Sequence, residues 1–220
     1  MPSSNDDARK EILGRIRQAR GASDPAAAKA SIDSYVRARA RGPVREMPGD
    51  LVERFIANAT AQQTTCVRVP GARDVPAAVA GYLRSMGLPA EGCVWPALSS
   101  FDWAAAGLRL EARGANGDDP VGVTGAFAAL AETGTLMLLS AEDTPPTVSL
   151  LPETHVAVLA ASRVVAVMED AWDLAREAFA ELPRAVNFIS GPSRTGDIEQ
   201  KMVLGAHGPY RVHIVVMDAG

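Results

Sequence analysis

Glu132-Thr133-Gly134-Thr135 forms a tight polar turn that leads straight into the apolar run Leu136-Met137-Leu138-Leu139. Gly134 lets backbone approach a ligand closely, the Thr133 and Thr135 hydroxyls can donate to anionic oxygens, and Glu132 is a candidate base or carboxylate nucleophile. The same residues also read as a plain strand-entry turn with a solvated glutamate. A second segment, Ser190-Gly191-Pro192-Ser193-Arg194-Thr195-Gly196-Asp197-Ile198-Glu199, follows the apolar Val186–Ile189. Its hydroxyls (Ser190, Ser193, Thr195), the exposed N–H groups around Gly191 and the Arg194 guanidinium suit a phosphate or carboxylate. Asp197 and Glu199 can anchor Arg194 or move a proton. In a third segment, Gly205-Ala206-His207-Gly208-Pro209, flanking glycines leave His207 accessible as an acid or base. Glu153 and His155 stand two apart before another apolar run, where a capping role competes with chemistry. Trp95, Phe101 and Trp103 cluster as pocket wall or core.

Several chemistries find no support. Neither the glycine-rich dinucleotide fingerprint nor a Walker A loop is present, and the glycine after Ser193 comes one position too late for a nucleophile elbow. Two cysteines, Cys66 and Cys93, fall short of the roughly four thiolates an iron–sulfur cluster takes, and three scattered histidines do not space a zinc site. The chain is therefore expected to hold no metal and no redox cofactor of its own.

These segments need a scaffold. With 47% apolar and 22% charged residues the chain reads as globular, and no apolar stretch approaches the roughly 18 residues of a membrane span. The polar start MPSSNDDARK lacks a signal-peptide core, so a cytoplasmic location is expected. Residues 1–45 hold ten Lys/Arg against five Asp/Glu, although the whole chain has a net charge of −4. Such a basic arm can bind nucleic acid, a membrane surface, an acidic partner or its own acidic body; with Tyr35 the one aromatic among its arginines, a stacking platform is not indicated and nucleic-acid binding is not expected. We place a helical arm at 1–43 and a single α/β domain at 44–220, divided at Gly42-Pro43.

In the arm, Asn5 or Asp6 is expected to cap a helix through Ile12, Leu13 and Ile16 that ends at Gly21, followed by helix over 26–40. In the body, helices are expected over 50–61, 75–86 and 169–182, with a helical turn at 126–131. Strands are expected over 65–69, 93–98, 108–112, 120–124, 135–139, 155–161, 164–168, 185–189 and 212–217. This alternation predicts an α/β fold with a mostly parallel sheet covered by helices on both faces, its ligand site at loops following strand carboxyl ends.

Taken in order, Gly122-Val123-Thr124-Gly125, Glu132–Thr135, Leu151-Pro152-Glu153-Thr154-His155, Ser190–Glu199 and Gly205–Pro209 resemble the lactate utilization protein C family over roughly residues 45–217. The resemblance implies a fold of the ribose-5-phosphate isomerase, glucosamine-6-phosphate deaminase and CoA-transferase type. It further implies a role in bacterial oxidation of L-lactate to pyruvate beside two partner proteins bearing cysteine-rich and iron–sulfur chemistry. The leading expectation is thus a non-redox component that binds a small anionic metabolite. Arg194 would pair with the anion, with Thr133, Gly134, Thr135, Ser190, Gly191, Ser193, Thr195 and Asp197 around it and Glu132, Glu199 or His207 exchanging protons. The alternatives are a stand-alone isomerase or acyl/CoA transferase, and a non-catalytic assembly or regulatory factor.

Overall fold

A computed structural model describes residues 4–21, 24–44, 46–196 and 202–219. The chain divides into two compact units at Val44/Arg45. In the first, α1 (Ser4–Arg20) already includes Asn5 and Asp6, which lie inside its first turn rather than capping it. Gly21 follows with φ +69°. Helix α2 (Pro25–Ala38) opens with proline at its first turn, and the Asp24 carboxylate accepts from the Ala26 N–H at 2.9 Å. Nothing in α2 is buried, and Ile12, Ile16, Ile32 and Tyr35 are exposed.

The second unit is built around a six-stranded sheet in which every paired neighbour is parallel. In chain order the elements are α3 (Leu51–Ala61), β1 (Thr65–Gly71), α4 (Val75–Ser85), β2 (Glu91–Val94), β3 (Arg109–Ala112) and β4 (Val121–Gly125). There follow β5 (Ala128–Leu130), β6 (Thr135–Leu139), α5 (Thr147–Leu150), β7 (Thr154–Ala160), β8 (Val164–Val165) and α6 (Met168–Ala178). The last strands are β9 (Val186–Ile189), β10 (Arg194–Gly196), β11 (Met202–Leu204) and β12 (Arg211–Ala219). The parallel sheet runs β1-β12-β7-β4-β2-β3, a second sheet runs β8-β5-β6-β9, and β10 and β11 pair as an antiparallel ribbon.

The alternation of side chains fixes what lies on each face. Val156 and Val158 of β7 pack with Val75, Val79 and Leu83 of α4 and with Trp103 and Leu108. Ala157 and Leu159 face the other way, toward Phe55 and Ala59 of α3 and Leu136 and Leu138 of the second sheet. The far face of that second sheet, Ala128, Leu130 and Met137, is closed by Ala171 and Ala175 of α6. Strands β6 and β7 are buried on both faces over most of their length, which is why they read as near-continuous apolar runs.

Four expectations for the α/β unit are corrected. Of 93–98, only Cys93 and Val94 are strand, and Pro96–Leu98 is a short 3-10 helix opened by its proline. Residues 126–131 are not a helical turn: Ala128–Leu130 is a strand paired with β6 and β8. Alanine favours helix on its own, but here its small side chain lets a strand sit between two packed layers, and tertiary pairing decides. Within 164–168, only Val164–Val165 is strand, and α6 begins at Met168. The segment after Ile189 is not wholly open loop, because Arg194–Gly196 enters the ribbon.

Candidate functional site

Two distant stretches meet on the carboxyl end of α3, and a third is tied to the second. The Asn58 side-chain amide donates to the backbone carbonyls of Ala131 at 2.7 Å and Glu132 at 3.1 Å, tying the β5–β6 turn to the helix. Gly134 adopts φ +68°, and a β-carbon there would lie 2.2 Å from the Ala59 nitrogen. Gly191, at φ +74°, makes the same kind of approach: its β-carbon would stand 2.3 Å from the Gln62 carbonyl oxygen. Only glycine satisfies both the left-handed conformation and the contact. The Arg194 guanidinium donates to that same Gln62 carbonyl at 3.1 Å. Ser193 joins the third stretch: its N–H donates to Pro209 O and its carbonyl accepts from Gly205 N–H, each at 2.9 Å.

Polar groups line the outside of this junction. Thr133 Oγ1 donates to Thr135 Oγ1 at 2.7 Å, and Thr135 Oγ1 donates to Ser190 Oγ at 3.1 Å, a chain of hydroxyls bridging β6 and the end of β9. Thr135 is buried, whereas Glu132, Thr133, Ser190 and Arg194 are exposed and Thr195 is half-buried in β10. His207 is exposed in the loop before β12. Among the described residues no side-chain hydrogen bond or ion pair joins Glu132 or His207 to Arg194. Asp197 and Glu199 lie outside the described residues.

The junction sits at the amino ends of β1 and β12, since Gln62 precedes Thr65 and Pro209 precedes Arg211. This differs from the expectation of loops at strand carboxyl ends, which these stretches meet only in the second sheet, after β9. The placement matters electrostatically. A helix carboxyl end carries partial negative charge, so α3 does not itself attract an anion, and Arg194 supplies the compensating cation.

Two histidines lie beneath this end of the sheet. His155 is fully buried, with Nε2 hydrogen-bonded to Thr124 Oγ1 at 2.7 Å and Nδ1 without a partner. Burial pushes its pKa down to about 4, so it is neutral at pH 7. Glu153 shares neither its environment nor its partner: it is exposed and ion-pairs Arg211 at 2.8 Å. His213 is stacked on Tyr82, ring centroids 3.8 Å apart, and meets Thr65 Oγ1 at 2.8 Å. It too is pushed down to about 4 by burial. Burial raises the Cys66 thiol to about 11 and the Cys93 thiol to about 12, so neither is a ready thiolate at neutral pH. Among the described residues no three His, Cys, Asp or Glu side chains are grouped to hold a metal ion.

At the opposite, carboxyl end, Trp95 and Leu98 after β2, Phe127 after β4, Asp143, Arg163 after β7 and Phe179 surround a cavity of about 380 Å³. Of these residues only Trp95 carries a signal in the sequence. The other signals were hidden, because the cavity depends on which strands are neighbours and on the strand at 128–130.

A family model for the LUD domain matches residues 52–217. Lactate utilization protein C of Bacillus subtilis (strain 168) is 41% identical over 102 residues, covering 44% of this chain and 42% of that protein. Lactate utilization protein C of Shouchella clausii (strain KSM-K16) is 42% identical over 100 residues, covering 44% of each. The matched stretch thus spans less than half the length of these relatives. A crystal structure of a DUF162 family protein from Deinococcus radiodurans superposes with a TM-score of 0.59 at 22% identity, covering 76% of this chain and 96% of that one, and shares the fold. Among the described residues no helix is long and apolar enough to cross a membrane. The match across nearly the whole α/β unit, together with relatives named for lactate utilization, makes this chain a member of the LUD domain family.

Proposed function

We propose that the chain serves oxidation of L-lactate to pyruvate as a non-redox component, beside two partner proteins that carry the cysteine-rich and iron–sulfur chemistry. In this reading it binds a small anionic metabolite on the rim at the end of α3. Relatives named lactate utilization protein C support the metabolic role. The observation that carries the binding role is the hydroxyl chain Thr133–Thr135–Ser190 on the same packed support that holds Arg194. Arg194 pairs with the carboxylate and the Ser190, Ser193 and Thr195 hydroxyls orient it, while Thr133 and the buried Thr135, whose protons are donated along the hydroxyl chain, hold Ser190 in place and Gly134 and Gly191 close the backbone beneath. Asp197 steadies Arg194, and Glu132, Glu199 or His207 exchanges a proton with the bound anion. Two electrons and two protons leave lactate on its way to pyruvate. In this reading the electrons go to clusters in the partner proteins.

The test is lactate-dependent electron transfer by the three purified proteins, with and without this chain, together with calorimetric binding of L-lactate, pyruvate and phosphate. Omission is expected to lower the rate. Arg194→Ala is expected to weaken anion binding by about ten- to a hundredfold, the worth of a charge-assisted hydrogen bond. Full-rate oxidation by the partners alone, or unchanged affinity in the variant, would overturn the proposal.

The basic arm favours a second reading, an assembly factor. Ile32 is 62% and Tyr35 76% exposed, and an acidic partner would complement both the charge and the apolar surface. Deleting residues 1–43 would then abolish the complex while leaving anion binding intact.

A further inference from the structure

Strands β2 and β4 are hydrogen-bonded neighbours, yet the chain leaves their carboxyl ends toward opposite faces of the sheet. After β2 the Trp95 side chain packs on the α3 side, but the chain then passes through Leu98 to Trp103 and Leu108, packed on the α4 side with Val94 and Val121. After β4 it enters the second sheet, whose Ala129 and Ala131 pack on the α3 side with Ala157 and Leu159. Two adjacent parallel strands with diverging exits leave a crevice that neither connection fills, and in open α/β sheets that crevice is where ligands bind. The cavity of about 380 Å³ lies there.

Its chemistry is specific. The apolar lining is the buried Trp95, the half-buried Leu98 and Phe127, and the exposed Phe179. The Trp95 indole N–H is already satisfied by the Pro145 carbonyl at 2.9 Å, so what it offers a ligand is ring. Arg163 has its guanidinium carbon 4.7 Å from the Phe127 ring centroid and, among the described residues, no carboxylate partner. A half-buried cation held over an aromatic ring, with no ion pair among the described residues, in the wall of a largely apolar cavity calls for an anion attached to an apolar body. Asp143 also lines the cavity; its charge opposes any anion and a dianion such as free phosphate about twice as strongly, so a single carboxylate placed at Arg163 is the anion the site tolerates. The volume falls in the range of about 300–1,000 Å³ that takes ligands well beyond a three-carbon acid.

We infer that this crevice is a second binding site, for an amphipathic organic carboxylate whose chain or ring lies against Trp95 and Phe127 and whose carboxylate meets Arg163. The site is at the other end of the sheet from the rim discussed above and does not depend on it.

Calorimetric titration of the full chain with octanoate, 3-phenyllactate, octanol and L-lactate tests this. Octanoate and 3-phenyllactate are expected to bind, L-lactate to leave the crevice empty, and octanol to bind through the apolar term alone. Arg163→Gln should weaken octanoate by about ten- to a hundredfold and leave octanol unchanged. Arg163→Lys should restore part of the loss, and Leu98→Trp, which fills the cavity from its wall, should remove both ligands. Thermal melts confirm that each variant is folded. Arg194→Ala should change none of these affinities, which separates failure of this site from failure of the rim. No octanoate or phenyllactate binding at millimolar concentration, or equal octanoate affinity in wild type and Arg163→Gln, would overturn the inference.

Discussion

At the amino ends of β1 and β12 the chain is packed until backbone meets backbone, whereas at the carboxyl ends of β2 and β4 it encloses a hollow. Glycine appears at both ends and does different work. Gly134 and Gly191 close a seam against α3, where any β-carbon would overlap main-chain atoms. Gly125 faces the Trp95 ring, and an added β-carbon would rest 3.6 Å from it, an ordinary contact. The lesson is that convergence and capacity are separate properties. The rim gathers polar groups from three stretches but presents them as a surface. The crevice gathers few polar groups but has room for a ligand.

Gly134→Ala is the sharpest way to break the rim. The substitution forces a left-handed backbone on alanine and drives its β-carbon into the Ala59 nitrogen, neither of which a side-chain rotation relieves. A loss of about 3 kcal/mol or more is expected, a fall in Tm of roughly 6–12 °C for a chain of this size. A melt within 2 °C of wild type would show that the seam is looser than its geometry.

Acid separates the two ends by another route. His155 and His213 lie near the amino ends of β7 and β12 and have folded pKa values of about 4, below the ordinary 6.5. The unfolded chain takes up protons as pH falls through 6.5, while the folded chain does not until about pH 4. Stability is therefore complete above pH 6.5 and falls between 6.5 and 4, by up to about 1.4 kcal/mol per pH unit for each histidine. Urea midpoints measured from pH 7.5 to 4.5 check this, and hydrogen exchange should show the amides of Thr65, His155 and His213 losing protection before those around Trp95 and Gly125. A flat midpoint over that range would contradict the burial of both rings.

How much of this could be read from residues alone follows the same division. The parallel strands were legible because both their faces are buried, so β6 and β7 appear as unbroken apolar runs. The rim segments were legible because glycine, hydroxyl and arginine cluster within single short stretches. The crevice was not, since Trp95, Phe127, Asp143 and Arg163 are scattered over nearly seventy positions and meet only through the order β7-β4-β2. Strand order is set by long-range packing, which leaves no local mark. The alanines of β5 concealed it further, because their intrinsic preference points to helix.

Arg194→Ala tests how far the rim depends on its cation for structure. Its one described side-chain hydrogen bond is to an exposed carbonyl at the end of α3, so a loss of about 0.5–1.5 kcal/mol is expected, far below that of Gly134→Ala. A loss as large as that of Gly134→Ala would make Arg194 a structural cap before it is a ligand contact.

The smallest expected effect has the opposite sign. Gly125 ends β4 without a left-handed φ, and alanine there meets only the edge of the Trp95 ring and, at 3.9 Å, a Leu98 methyl. Nothing in the backbone opposes the change, while the unfolded chain loses freedom, so Gly125→Ala should be neutral or raise stability by up to about 1 kcal/mol. The added methyl also takes space beside the crevice floor, so octanoate should bind less tightly even as the protein melts slightly later. One substitution type, glycine to alanine, would then weaken the fold at one end of the sheet and strengthen it at the other. Destabilisation by Gly125→Ala comparable to that at Gly134 would mean that the carboxyl end is as tightly closed as the amino end, and the contrast between them would disappear.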